Sequence, residues 1–203
     1  GIGAVEHHSE SPEAYFAHTP GLRVISPSTP NDAYWMIQQA IESTDPVLFF
    51  EPKRRYWQKG AVNLDAAPGS MHQARVVVPG NDVTLVAYGP MMNVALQAAA
   101  LGAEEGKSVE VIDIRSMSPI DFATIVESVK KTGRLVIAHE ANTFVSVSSE
   151  IAARVSELAF YHLEAPAIRV GGFDVPYPAA KLEEVFLPDA DRILDAIDRV
   201  LAF

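Results

Sequence analysis

Short continuous apolar runs alternate along this chain with longer stretches in which apolar residues recur every third or fourth position. A continuous run suits a strand covered on both faces, and the wider spacing suits one face of a helix. From about residue 80 the alternation is regular. Val83–Tyr88, Val109–Ile114, Arg134–Ala138 and Ala167–Val170 are expected as strands. Pro90–Glu105 reads as a helix rich in Ala and Met, closed by Gly106. Ser118-Pro119 reads as the opening of a second helix that carries Ile125, Val126 and Val129 to a stop at Gly133, since proline suits a helix's first turn. Ser149–Phe160 places Ile151, Ala152, Val155 and Leu158 on one stripe, and Asp189 starts a terminal helix bearing Ile193, Leu194, Ile197, Val200 and Leu201. Repeated strand–helix alternation predicts an α/β fold with a mostly parallel sheet.

The first block runs from Gly1 to about Gln58. Arg23–Ser26 is expected as a strand, and Asn31 or Asp32 as the cap of a helix with Ala33, Trp35, Met36, Ile37, Ala40 and Ile41. Asp45-Pro46 ends that helix, and Val47–Phe50 reads as a strand buried on both faces. This is one βαβ unit, with a right-handed crossover expected. Lys59–Gly80 is a linker holding one strand at Arg75–Val78. The division is thus a partial domain with its linker over residues 1–70 and a complete α/β domain over residues 71–203.

Composition narrows the function classes. The 203 residues carry 26 acidic and 16 basic side chains, a formal net charge of −10, which argues against a phosphate-backbone partner. The basic cluster Lys53-Arg54-Arg55, followed by Tyr56 and Trp57, reads as a solvated or interface loop. Without cysteine there is no disulfide, thiolate metal site or thiol nucleophile. No signal peptide or membrane-length apolar run is evident. The expectation is a soluble protein of a reducing compartment, cytoplasmic or, in a eukaryote, the mitochondrial matrix. Neither a G-x-x-x-x-G-K-[ST] loop, nor G-x-G-x-x-G at a strand-to-helix turn, nor G-x-S-x-G occurs.

Open α/β sheets place ligands at strand ends and the loops that follow. Two segments with titratable groups qualify: His7-His8-Ser9-Glu10 and His139-Glu140-Ala141-Asn142. Adjacent residues of an extended chain point to opposite sides, so His7 and His8 make a poor metal site. A structural histidine and a proton-shuttling one both remain open there, because imidazole titrates near neutrality. His139-Glu140 reads as a buried polar pair orienting a loop. His18, His72 and His162 lack a polar constellation in sequence, and Tyr34-Trp35-Met36 and Met91-Met92 read as packing.

Several segments together carry a family resemblance. His8-Ser9-Glu10-Ser11-Pro12-Glu13-Ala14-Tyr15-Phe16-Ala17-His18 resembles the H-S-Q-S-P-E-A-F-F-A-H segment of the β subunits of thiamine-diphosphate-dependent 2-oxo acid dehydrogenases. Pro20-Gly21-Leu22, Ser26–Pro30, Phe49-Phe50-Glu51-Pro52-Lys53, Val83–Gly89, Val109–Asp113 and Leu187–Ile193 continue in register. The S-P-E-A and F-F-E-P-K versions are more similar to branched-chain enzymes than to the H-S-Q-C type.

The resemblance implies a pyrimidine-binding-type α/β domain, present here as its C-terminal part, followed by a transketolase C-terminal-like domain. It implies an α subunit that holds thiamine diphosphate and Mg²⁺, a second β subunit, and a lipoyl acyltransferase core. The reaction implied is oxidative decarboxylation of a small branched-chain 2-oxo acid, with acyl transfer to the lipoyl arm. His8 takes the place of the family's active-site histidine beside the thiazolium. The turn from Ala40 through Ser43 to Asp45 takes the place of a structural K⁺ site. The glutamate and the stacking aromatic that serve the cofactor's aminopyrimidine lie upstream in the family and have no counterpart here, so no cofactor-binding residue is assigned. The chain is therefore expected to be a C-terminal fragment, inactive alone. A further departure is Phe144-Val145-Ser146-Val147-Ser148-Ser149-Glu150, where the family has G-G-F-G-A-E. The alternatives are a pyruvate or acetoin enzyme, or a non-catalytic assembly module docking a basic partner through Asp189, Asp191, Asp195 and Asp198.

Overall fold

The computed structural model describes residues 1–4 and 6–203, with Glu6 described by its backbone alone. Its larger sheet has five strands in the order β3 (Arg75–Val78), β5 (Val109–Asp113), β4 (Val83–Ala87), β7 (Leu135–Asn142) and β8 (Ile168–Gly172). All neighbours run parallel except β3, which is antiparallel to β5. Helices α4 (Met91–Glu104) and α8 (Ala190–Leu201) cover one face, and α5 (Phe122–Thr132) and α6 (Val147–Ala159) the other. Strand alternation decides which side chain faces which layer. Val83, Leu85, Ala87, Val109 and Val111 pack toward α4 and α8, whereas Val86, Ile112, Leu135 and Ile137 pack toward α5 and α6. Both faces are thus apolar, which is why β4 and β5 read as unbroken runs.

A smaller sheet has the order β2 (Val47–Phe49), β1 (Arg23–Ile25), β6 (Ser116–Ser118). β1 and β2 are parallel and joined by α3 (Pro30–Glu42), the expected strand–helix–strand unit. The strand expected to be buried on both faces, β2, is only half-buried, because it pairs with β1 alone and keeps an open edge. The helix expected to open at Ser118-Pro119 begins instead at Phe122. Ser118 ends β6, antiparallel to β1, and the Ser118–Pro119 bond is cis. Asp121 is the cap, its carboxylate accepting the Thr124 N–H at 3.2 Å. The Ser116 and Ser118 hydroxyls bond Pro119 O (2.6 Å) and Leu22 O (2.9 Å), an alternative to helix that short hydroxyl side chains offer the backbone.

Other starts also move. Thr29, rather than Asn31 or Asp32, caps α3, accepting the Asp32 N–H at 3.1 Å with Pro30 in the first turn. Ser146 caps α6 in a capping box with Ser149. Arg115, fully buried at φ 52°, joins β5 to β6. A left-handed arginine costs about 1–3 kcal/mol, and here it is held by several bonds. Its guanidinium donates to Gln73 O (2.9 Å) and Ser70 O (3.2 Å) and reaches Asp32 at 3.4 Å. Ser28 bonds Asp113, and Arg75 bonds Asp32, so a buried polar cluster ties α3 and the β1 exit to the larger sheet.

Candidate functional site

Two short helices, α1 (Glu6–Ser9) and α2 (Glu13–Ala17), fold the N-terminal segment across the join between the sheets. Beneath them lies a cavity of about 210 Å³. Its walls come from segments distant in sequence: His8, Ser11 and Glu13 on one side, Lys53 and Arg54 on another, and Glu140 of β7 below. His8 is exposed on this cavity. Its Nδ1 stands 3.5 Å from Lys53 Nζ, and its ring 4.1 Å from the His7 ring. An ammonium has donors only, so Lys53 orients its N–H toward an unprotonated Nδ1 and leaves the Nε2 proton for whatever occupies the cavity.

The floor is acidic. Glu140 is buried and accepts from Arg54 at 2.5 Å and from the Ser11 hydroxyl at 3.5 Å. Glu13 is also buried, and its Oε2 has no hydrogen-bond partner among the described residues. Loss of solvation pushes the Glu13 carboxyl up to about 7. Tyr88, at the end of β4, is raised well above the usual phenol range by the same burial.

His139 is fully buried: Nδ1 pairs with Ala141 O (2.9 Å) and Nε2 with the Ser148 hydroxyl (2.7 Å). A carbonyl only accepts, so Nδ1 carries the proton and Ser148 donates to Nε2. Burial pushes this imidazole down to about 4, so it is neutral at physiological pH. His139 thus orients the loop, while Glu140 turns the other way into the cavity. Sequence reasoning gave Glu13, Lys53 and Arg54 no part in the site. Glu13 entered only within the family segment, and the basic run read as a solvated or interface loop. The available signal was Pro52, which sets the backbone ahead of a one-turn helix (Lys53–Arg55) and brings those cations back toward the N-terminal segment.

The other expected sites are laid out as follows. At the end of α3 the Ser43 N–H donates to Ala40 O (3.3 Å), and the Ser43 hydroxyl and Asp45 backbone pair at 3.1 Å. The Asp45 carboxylate is taken by Arg23 at 2.7 Å. Asp189, Asp191 and Asp195 line one depression with Arg169, Arg192 and Arg199, whereas Asp198 pairs with Lys107 outside that depression. Asp189 also caps α8 (2.8 Å to the Arg192 N–H). Among the described residues no group of three or more His, Asp or Glu could hold a metal ion. No helix among them is long and apolar enough to cross a membrane.

Comparison with known proteins accounts for this two-sided architecture. Residues 72–193 match the family model of the transketolase C-terminal domain, and residues 1–58 that of the transketolase pyrimidine binding domain. The chain belongs to the transketolase C-terminal domain family. The pyruvate dehydrogenase E1 component subunit beta of Leifsonia xyli subsp. xyli is 62% identical over all of this chain and 60% of its own length. The 3-methyl-2-oxobutanoate dehydrogenase subunit beta of Mycobacterium tuberculosis is 48% identical, covering 99% of this chain and 58% of the relative. The mitochondrial 2-oxoisovalerate dehydrogenase subunit beta of Dictyostelium discoideum is 43% identical, covering 99% and 56%. A solved structure titled "Split gene transketolase, inactive beta4 tetramer" superposes with a TM-score of 0.76 at 27% identity, covering 94% of this chain and 60% of that one.

The chain therefore spans about three fifths of the length of the curated relatives it matches. The resemblance to 2-oxo acid dehydrogenase β subunits and the α/β fold class hold. Narrowing to the branched-chain type does not follow from the comparison, since the pyruvate-type relative exceeds the branched-chain ones in identity.

Proposed function

We propose that these residues form part of the β subunit of a thiamine-diphosphate-dependent 2-oxo acid dehydrogenase, with His8 as its proton-transferring residue. The observation that carries this reading is the position of His8, exposed on a cavity walled by both family-matched segments. An imidazole with Nδ1 facing Lys53 can donate from Nε2 to an oxygen on which negative charge develops, and can take the proton back. Such a positioned group is typically worth about 10²–10⁴ in rate. In this reading thiamine diphosphate and Mg²⁺, which supply the carbanion-stabilising chemistry, are held mainly by the α subunit and by parts of the enzyme outside these residues. A second β subunit and a lipoyl acyltransferase core complete the assembly, and these 203 residues alone are inactive. The Ala40–Asp45 turn is the proposed K⁺ site, with backbone oxygens as its ligands.

The substrate has two readings, each with its own support. The His8–Glu13 and Phe49–Lys53 segments favour a branched-chain 2-oxo acid, and the 62% identical relative favours pyruvate. The test joins this chain to the remainder of a β subunit and an α subunit, then compares His8→Ala with the unmodified enzyme on pyruvate and on 3-methyl-2-oxobutanoate. The expected result is a 10²–10⁴-fold loss of turnover on the preferred substrate. Unchanged turnover removes His8 from the chemistry, and preference between the substrates selects the reading. Tight binding of thiamine diphosphate to the 203-residue chain in calorimetry overturns its inactivity alone.

A further inference from the structure

Glu13 is the group at this site that the proposed chemistry leaves unused. It opens α2, five positions after His8, and lines the same cavity with 7% of its surface exposed. Its Oε2 is buried without a hydrogen-bond partner among the described residues. A carboxylate so placed would forfeit its hydration without return, which is several kcal/mol for an unpaired ion.

Glu140 shows the contrast. It is equally buried, yet Arg54 stands 2.5 Å away, the Ser11 hydroxyl 3.5 Å and the Gly1 nitrogen 3.3 Å. Two carboxyl groups face one cavity and the one guanidinium bonded there is engaged by Glu140, so ionising Glu13 would set a second like charge beside it without a partner. We propose that Glu13 is a positioning residue of the His8 site, a neutral carboxylic acid that lets the turn carrying His8 close over the Glu140–Arg54 pair. Burial foremost, with the Glu140 charge adding to it, supports this by pushing the carboxyl up to about 7, against the pull of its own backbone N–H and of the Gly1 ammonium.

The groups facing Glu13 fit the assignment. Its own segment presents the Gly1 ammonium, His7, His8 and Glu10, the stretch after β2 presents Glu51, Lys53 and Arg54, and β7 presents Glu140. Tyr88, at the end of β4, feels the charges of both Glu13 and Glu140. Arg54 is committed to Glu140, Arg55 reaches Gly89 O and Pro90 O, and Lys53 leans on His8. The Gly1 ammonium donates to Ser9 O (3.1 Å) and Glu140 (3.3 Å), so among the described residues no cation hydrogen-bonds the Glu13 Oε2. Ionising it adds a second charge beside Glu140, which is relieved by moving α2 outward and the His8 turn with it.

The proposal rests on the reading of His8 as the functional residue, but its test needs no turnover. Infrared spectra of the 203-residue chain, with glutamate ¹³C-labelled, are recorded near pH 6 and near pH 8.5 for the unmodified chain and Glu13→Gln. The unmodified chain is expected to show a protonated-carboxyl C=O band near pH 6 that fades by pH 8.5 and is missing from the variant. In parallel, the Ala14 amide NMR signal is followed across that range. It should show a titration step in the unmodified chain that disappears in Glu13→Gln. Glu13→Ala, which removes the shape as well as the proton, should displace the signal at every pH. A carboxylate band alone near pH 6 overturns the proposal, as does a titration step that survives in Glu13→Gln. If Glu13→Gln does not fold, the unmodified chain's infrared titration still decides. Failure here leaves the His8 assignment standing, and failure of His8→Ala leaves this result standing.

Discussion

Asp32, in the first turn of α3, and Arg75, the first residue of β3, form a two-pronged ion pair, Oδ1 to Nη1 at 3.1 Å and Oδ2 to Nη2 at 2.8 Å. Asp32 is fully buried, and Arg115 approaches the same carboxylate at 3.4 Å. The pair therefore anchors the βαβ unit to the five-stranded sheet and fixes the cavity formed where they meet. Removing the shared anion leaves the buried Arg115 with carbonyl acceptors alone and Arg75 with only its longer contact to Asp113 (3.5 Å). Asp32→Ala is expected to cost about 3–5 kcal/mol, the usual penalty for breaking a buried pair from one side. Urea denaturation measures it, and a loss below about 1 kcal/mol would show that water or rearrangement replaces the carboxylate.

His139 and Asp113 make opposite contributions to the pH dependence of stability. His139 falls from 6.5 to about 4 on folding because burial disfavours the cation. Its contribution is full above the unfolded value and is lost as pH drops from about 6.5 toward 4, on the order of 3 kcal/mol. Asp113 rises from 3.8 to about 6, chiefly through burial, against the Ser28 bond and the neighbouring arginines. The folded state then binds the extra proton, so Asp113's contribution falls as pH rises from about 4 to 6. Glu13, raised to about 7, slopes the same way as Asp113. Relative to the unmodified chain, His139→Gln should make stability fall more steeply with pH over this window, and Asp113→Asn should make it fall less steeply. Thermal unfolding at three pH values between about 4.5 and 6.5 reads both signs, and parallel slopes for the three proteins would contradict the assignment.

The five-stranded sheet was legible because each central strand is apolar on both faces and each covering helix carries its own stripe. β6 was not legible. Ser116-Met117-Ser118 has no apolar run, and it becomes a strand because β1 offers it an edge and its serines find carbonyl partners. Tertiary pairing outweighed local pattern there. His8 could be placed through its family segment, since spacing alone leaves a histidine's role open. Glu13, Lys53 and Arg54 lie near each other only after α1 and α2 fold over β7, a relationship between residues distant in sequence that no local pattern records.

Val145 is a β-branched residue at φ 51°, in the loop that departs from the family's glycine-rich form. The following Ser146 has φ −103°, a conformation open to any residue, so the replacement of glycine is strained at one position and harmless at the next. The Val145 side chain is exposed and contributes little packing to offset the strain. Val145→Gly should therefore stabilise the chain by about 1–2 kcal/mol, the relief of left-handed strain less glycine's added unfolded-state entropy. A higher melting temperature is the expected result. A lower one would mean that the valine makes a contact worth more than its strain.

Gly171 on β8 sits against the chain on either side of Glu140. A Cβ there would lie 2.6 Å from Ala141 O and 2.9 Å from His139 Cε1. Neither neighbour can retreat freely: Ala141 O accepts the His139 Nδ1–H, and the other ring nitrogen is held by Ser148. Gly171→Ala must therefore push β7 and β8 apart or break the histidine's bond, at a cost of about 1–3 kcal/mol by the usual scale of overpacking. The strain falls on the residues flanking Glu140, so the Glu140–Arg54 pair should loosen with it. Melting temperature and the Arg54 side-chain NMR signal measure the two effects. Loss of stability with an unchanged Arg54 signal would confine the damage to the sheet, and loss of both would tie the buried histidine's bond to the shape of the cavity beneath His8.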